Sequence, residues 1–425
     1  MSAAARSCLQ PALALLWALA VLVRAFPASA MPVVELPEGF SAVMDLRLIG
    51  VDGERSWIDG GFGKARFGAG ADDFDLEPVV ANAELVWEPS LTWNLDSTLV
   101  VAFQDGQEQP FDVVEAFVSW RPVPRSATRF SARAGLFWPP VSLEHEGAAW
   151  SVAGMITPSA INSWIGEEVK VVGLEGTATH EFDGGGRLSG TFGLFGYNDT
   201  AGTLLAFRGW ALHDEKTTAF SDQPLPPLND FMVYSQAPAT SPTVEIDDRL
   251  GYYGRLSLQL AAPVSLEAFY YRNRGVPEAI NKNLQWGWDT RFLNLGARID
   301  LGPRTRLIAQ GLTGRTEMGI EENDHYWVDT KFRSAFLRLT HEIGWATLSG
   351  RVDLFDTEER GSQMEVEESE DGWALTGAVD WRLSTQTELI FEALHIDSDR
   401  GVRTRVGLAP SQEQNVVQVA LRLTL

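Results

Sequence analysis

The sequence predicts an all-β chain folded as a transmembrane antiparallel β-barrel of about sixteen strands. Three observations lead there. Apolar and polar residues alternate with a period of two along most of the chain, as they do in strands whose two faces meet different surroundings. The connections between these segments alternate between very short and long, the asymmetry of a barrel with tight turns at one end and loops at the other. Tryptophans gather beside the short connections, where an aromatic girdle would sit.

The first thirty residues, MSAAARSCLQPALALLWALAVLVRAFPASA, form a signal peptide ahead of a single domain, 31–425. Arg6 precedes an apolar run from about Pro11 to Val23, and Ala28-Ser29-Ala30 is a small-residue cleavage site, so cleavage is expected near Ala30. Cys8 would leave with this segment, and the mature chain would hold no thiol for disulfides or for cysteine-based metal or redox chemistry. The formal charge of −23 over 425 residues argues against nucleic acid as a partner, because phosphates require Lys and Arg. No later stretch approaches eighteen consecutive apolar residues, so no transmembrane helix is expected.

Strands are expected in order at 40–50, 77–88, 96–104, 112–120, 128–138, 169–180, 187–197 and 250–260. The second half continues with 264–274, 291–301, 305–316, 332–340, 345–355, 372–382, 387–396 and 415–425. The segment 57–68 would raise the count towards eighteen or fold as an external loop. In FLNLGARIDL, Leu293, Leu295, Ala297, Ile299 and Leu301 share one face, and Asn294, Gly296, Arg298 and Asp300 share the other. The ending VVQVALRLTL puts Val417, Val419, Leu421, Leu423 and Leu425 opposite Gln418, Ala420, Arg422 and Thr424. A strand apolar along one face can end a chain without fraying if both its edges are paired. In lipid they must be, since an unpaired backbone group costs several kcal/mol there. Trp87, Trp120 and Trp381 close strands just before short turns and Trp345 opens one just after.

The faces opposite the aliphatic stripes should line the lumen. They carry Glu115, Arg129, Arg133, Glu175, Arg187, Arg255, Arg298, Arg338, Arg351, Asp353 and Arg422 among other charges of both signs. Such density does not survive in a dry core unless paired, whereas a water-filled channel accommodates it. With the wall balanced, the surplus acid lies in loops such as 356–371, which has eight carboxylates against Arg360. No loop spaces its ligands like a calcium site, and neither a metal nor another cofactor is expected. Residues 139–168 are long and rich in apolar side chains and should pack against something. Folded into the barrel, they would form a constriction with Glu144, His145, Glu146, Glu167 and Glu168, and it would favour cations. Residues 198–249, with the Pro-rich SDQPLPPLNDFMVYSQAPATSPT, read as a long external loop.

The run DVVEAFVSWRP…RFSARAGLFWPPVSLE, followed by VKVVGLEGT, resembles the phosphate-selective porin O/P group of outer-membrane channels over about 112–177. The resemblance implies a trimeric, sixteen-stranded pore for small hydrophilic solutes in the outer membrane of a Gram-negative bacterium. The family's anion selectivity depends on basic residues around the constriction. None can be carried over, because 139–169 contains no Lys or Arg.

The expected function is therefore a passive, water-filled outer-membrane channel whose partners are membrane lipid, small hydrophilic solutes and further copies of the chain in a homotrimer. The alternative is a non-conducting barrel acting as receptor, adhesin or anchor through 198–249. An enzyme is not expected. His341-Glu342 is followed by Ile343, Gly344 and Trp345 rather than by a second His in zinc-protease spacing, and no Gly-x-Ser-x-Gly elbow is present.

Overall fold

The computed structural model describes residues 34–69, 74–261, 263–364 and 366–425. The expected signal segment lies outside these residues. Period-two patterning folds into sixteen barrel strands. The first eight are β1 (Phe40–Asp52), β2 (Phe74–Trp87), β3 (Leu95–Gln104), β4 (Asp112–Trp120), β5 (Thr128–Phe137), β6 (Val171–Glu181), β7 (Arg187–Gly196) and β8 (Gly251–Gln259). The second eight are β9 (Val264–Arg272), β10 (Arg291–Gly302), β11 (Thr305–Met318), β12 (Val328–Glu342), β13 (Ala346–Glu359), β14 (Glu370–Arg382), β15 (Thr387–Arg400) and β16 (Ser411–Thr424). Every neighbouring pair is antiparallel, and β16 pairs with β1 from Val43↔Thr424 to Asp52↔Asn415, which closes the cylinder. The segment 57–68 adds no barrel strand. It makes a short 3-10 turn, Trp57–Asp59, whose tryptophan is fully buried.

Turns at one end are tight. In His341–Ala346, Ile343 N–H donates to Ala346 O at 2.8 Å, and Gly344 takes φ +88°, a left-handed conformation that a side chain would strain. At this end Trp345 and Trp381 pack with ring centroids 5.4 Å apart, and Phe40 stacks on Trp87 at 5.8 Å. Trp87, Trp120 and Trp345 are exposed on the outer surface. All four tryptophans that the sequence placed beside short turns therefore lie at one level.

The alternation sorts side chains as the pattern predicts. On β10, Leu293, Leu295 and Leu301 are exposed while Asn294 is buried. On β12, Leu337 and Leu339 face out, and Ser334, Phe336 and Arg338 face in. The outward stripes form an apolar band around a closed cylinder, a surface that suits hydrocarbon. The wall is uneven in height. Strands β3 to β9 have nine to eleven residues, and β10 to β16 have twelve to fifteen.

Candidate functional site: the inward loops and the cavity beneath them

Two long loops enter the barrel. The first joins β5 to β6 and carries helix α1 (Ala160–Glu168), every residue of which is buried. Ser159 caps it, accepting from Asn162 N–H at 3.3 Å. Wall carboxylates take up the loop's free amides. Glu392 on β15 accepts from Ile156 N–H at 2.7 Å and from Thr157 N–H, and Asp353 on β13 accepts from Ala160 N–H at 3.1 Å in the first turn of α1. Negative charge at a helix N-terminus meets unpaired donors and the positive end of the helix dipole.

The second loop, between β7 and β8, departs from the sequence expectation. Its first part, from Asn198 to Thr218, is buried almost throughout, apart from a partly buried Asp214. It leaves the wall at β7 and crosses to the far side. Trp210 N–H donates to Glu370 on β14 at 2.9 Å, and Trp210 Nε1 donates to Asp356 O on β13 at 3.0 Å. Gly209 (φ +81°) permits this approach, because a Cβ there would collide with the Glu370 carboxylate. The short helix α2 (Thr203–Arg208) sits within this crossing. Residues 198–218 are thus lumenal. Leu204, Leu205, Ala206, Phe207 and Trp210 explain why, since so many apolar side chains gain by burial and an external loop would leave them in water.

These loops fill the loop end of the bore with an apolar core, where the sequence suggested an aqueous lining. Trp164 of α1 packs edge-on against Phe292 at 5.3 Å and Trp210 at 6.0 Å, and lies 5.2 Å from Phe332. Ion pairs lock the arrangement. Arg208 donates to both oxygens of Glu167 at 2.6 and 2.7 Å, with His213 at 3.3 Å. Asp214 is held by Arg47 and Arg66, Lys216 reaches Glu84 at 2.5 Å, and Lys64 of the 52–74 loop reaches Glu370 at 2.5 Å. Period-two reading could not reveal these partners, because they join loops to strands and to other loops distant in sequence.

The sequence-proposed constriction residues separate into two groups. Glu144, Glu167 and Glu168 are buried and paired. Glu144 accepts from Ser159 N–H and Asn162 Nδ2 and lies 3.4 Å from Arg351, and Glu168 accepts from Trp164 Nε1 at 2.7 Å and Leu204 N–H at 2.8 Å. His145 stacks on Trp150 at 3.5 Å and meets Ser142 Oγ at 2.8 Å. Glu146 alone of the five is exposed, bridging Arg298 and Arg306.

The proposed lining residues also fall into distinct settings. Arg351 and Asp353 pair at 2.7 Å, fully buried under the first loop, and Arg351 also donates to Thr157 O and Pro158 O. Arg422 makes two 2.8 Å bonds to Asp45. Arg133 grips Glu175 at 2.9 and 3.1 Å, and Arg255 pairs with Glu267. Glu115 lies in the field of Arg133 and Lys170. Arg129 and Arg187, both exposed, share the half-buried Glu181 at the turn end. Arg338 donates to Ala153 O.

Below the first loop, at the turn end, lies a cavity of about 340 Å³ bounded by Glu146, Gly147, Ser151–Gly154, Val43 of β1 and the walls of β10 to β16. It narrows into a pocket of about 30 Å³ between His145, Trp150, Asn162, Glu215 and Lys216.

Burial pushes the Glu215 carboxyl up to about 7, and Glu167 and Asp214 add to the rise against Arg66. The folded loop therefore favours the protonated acid. The stability this lends is complete below about pH 4.5 and is lost as pH rises through 7, on the order of 3 kcal/mol. Hydrogen exchange of 198–218, corrected for intrinsic rates, should quicken between pH 5 and 8, and Glu215→Gln should flatten that dependence. A profile equally steep in the variant would assign the effect elsewhere.

No family model matches this sequence. No curated protein matches it either. Among solved structures, the outer membrane channel DcaP of Acinetobacter baumannii superposes with a TM-score of 0.55 at 8% identity, covering 93% of this chain and 100% of that one. The anion-selective porin from Comamonas acidovorans gives 0.53 at 14% identity over 91% and 98%. A loop-deletion mutant of the Vibrio cholerae outer membrane protein OmpT gives 0.51 at 8% over 91% and 99%. These likenesses establish a shared fold, the closed sixteen-stranded barrel.

Proposed function

We propose that the protein is an outer-membrane channel through which small hydrophilic solutes pass passively, with the β5–β6 loop setting the passage. The observation that carries this reading is the charged cavity directly beneath that loop, inside a closed barrel with an apolar outer band. A solved neighbour is named an outer membrane channel and another an anion-selective porin, which supports the class. Of the resemblance to the O/P group, the channel architecture and the threefold assembly enter this proposal.

Planar-bilayer recording of purified protein tests it. Stable conductance steps are expected, and a silent bilayer would favour the second reading, a non-conducting barrel. That reading draws its support from the packed core of Trp164, Trp210 and Phe332 at the loop end. Charge selectivity should follow Glu146. Glu146→Gln removes one carboxylate from the cavity wall, leaving Arg298 without its ion-pair partner and Arg306 with Asp300 alone at ion-pair distance, so the cation-to-anion permeability ratio should fall by a factor of a few. Glu144→Gln should leave the ratio unchanged, because that carboxylate is sealed behind the loop. A reversal potential that responds to Glu144 and not to Glu146 would contradict the assignment.

Self-association is supported by the lower wall. Trp120, Phe130 and Phe192 border an outer groove of about 600 Å³ floored by Gly176 and Gly190, a shape that admits the side chains of a second copy. Mass measurement in detergent should show a homotrimer.

A further inference from the structure

The cavity beneath the β5–β6 loop is lined by five arginines and five carboxylates. Four of these charges are in ion pairs, and Arg304, Glu342, Arg382 and Glu388 are exposed or half-buried. Arg306 is held by Asp300 and Glu146, and Arg422 by Asp45. Two groups differ. Arg338 on β12 is 4% exposed and donates to Ala153 O, yet its Nε has no hydrogen-bond partner, and no carboxylate among the described residues reaches ion-pair distance. Asp380 on β14 is 6% exposed, and its Oδ1 is likewise unpartnered. Both side chains border the same cavity.

A buried charge without a partner is costly, and here a cation and an anion are left open on different parts of one chamber. A chamber whose charges sum to nearly zero gives little net attraction to a plain anion or cation. Two fixed opposite charges set apart do attract a solute that carries both signs. Strand register gives the spacing. Asp380 lies opposite Thr347, and Thr347 opposite Glu342, four residues below Arg338 along β12. The two backbones are therefore about 13 Å apart along the strands and about 10 Å across them. Side chains converging on the chamber shorten that gap without closing it, since no ion pair forms.

We propose that this chamber is a binding subsite for small zwitterions whose charges are separated by several bonds, such as short peptides. The carboxylate end bonds to Arg338 and the ammonium end to Asp380. The inference rests on the channel reading for how solute reaches the chamber, but binding itself does not depend on conduction.

Isothermal titration of the detergent-purified full-length protein with glycylglycine tests it, with N-acetylglycylglycine and glycylglycine amide as probes that each keep one charge. Glycylglycine should bind, and both blocked forms should bind about tenfold more weakly or worse, one charge-assisted hydrogen bond being lost in each. Arg338→Gln should abolish the advantage of the free carboxylate while keeping that of the free amine, and Asp380→Asn should do the converse. Circular dichroism of both variants confirms that the barrel is intact, and neither substitution breaks an ion pair. Equal affinity for all three probes, or variants that do not separate the two ends, would overturn the proposal. Binding with this pattern in a protein that passes no current would retain the subsite and sink the channel reading, so the two failures are distinguishable.

Discussion

Glu167→Gln is expected to destabilise the inward loops by about 3–5 kcal/mol, because it strips a fully buried guanidinium of its counter-charge. Arg208 donates two short bonds to that carboxylate, His213 lies against it, and all three side chains are sealed from solvent. The barrel wall does not depend on this pair, since its strands are held by backbone ladders. The loss should therefore appear locally. Protease sensitivity within 198–249 should rise and open-channel noise should increase, while the thermal unfolding of the barrel stays close to its original value. Replacing both partners, as Glu167→Leu with Arg208→Met, should restore much of the stability, because a buried pair exchanged for apolar side chains is often neutral. An unaltered loop in the single variant would show that the apolar core alone holds it in place.

Leu354→Arg should cost about 2–4 kcal/mol of barrel stability in phospholipid vesicles, the range for a cation placed on the lipid face near mid-membrane. Leu354 is 57% exposed on the outward stripe of β13, well below the loop end of that strand. Glu358→Arg, near the loop end of β13 and on the same outer face, should cost no more than about 1 kcal/mol. Depth dependence separates hydrocarbon from water, since a Leu to Arg change on an aqueous surface rarely exceeds about 0.5 kcal/mol. Equal and small effects at both sites, measured by unfolding titrations, would remove the membrane from the account.

Local pattern revealed most of this architecture because its cause is local. Whether Leu295 or Asn294 faces out depends only on strand geometry, so the stripes could be read without knowing any partner. Ion pairs two residues apart, such as Arg351 with Asp353, were visible for the same reason. Arg133 with Glu175 and Arg422 with Asp45 are set by register between strands, which no single segment reveals. The inward course of 139–168 was legible from its apolar content, yet the same criterion applied to LLAFRGW (204–210) would have drawn the β7–β8 loop inward as well. The Pro-rich second half of that loop masked it. Glu144, Glu167 and Glu168 misled for a related reason. Acidic composition suggested charges in water, but their partners Arg351, Arg208 and Leu204 N–H come from three different parts of the chain.

The β1–β16 seam joins the two ends of the described chain by ten paired positions. No intermediate lacking either strand can seal, and every such intermediate presents two raw sheet margins to whatever surrounds it. Closure at this seam involves the greatest separation along the described polypeptide, the kind of encounter that folds slowly. Until the final zipper forms, the ripening cylinder must be shielded by an escort or sheltered at the bilayer surface.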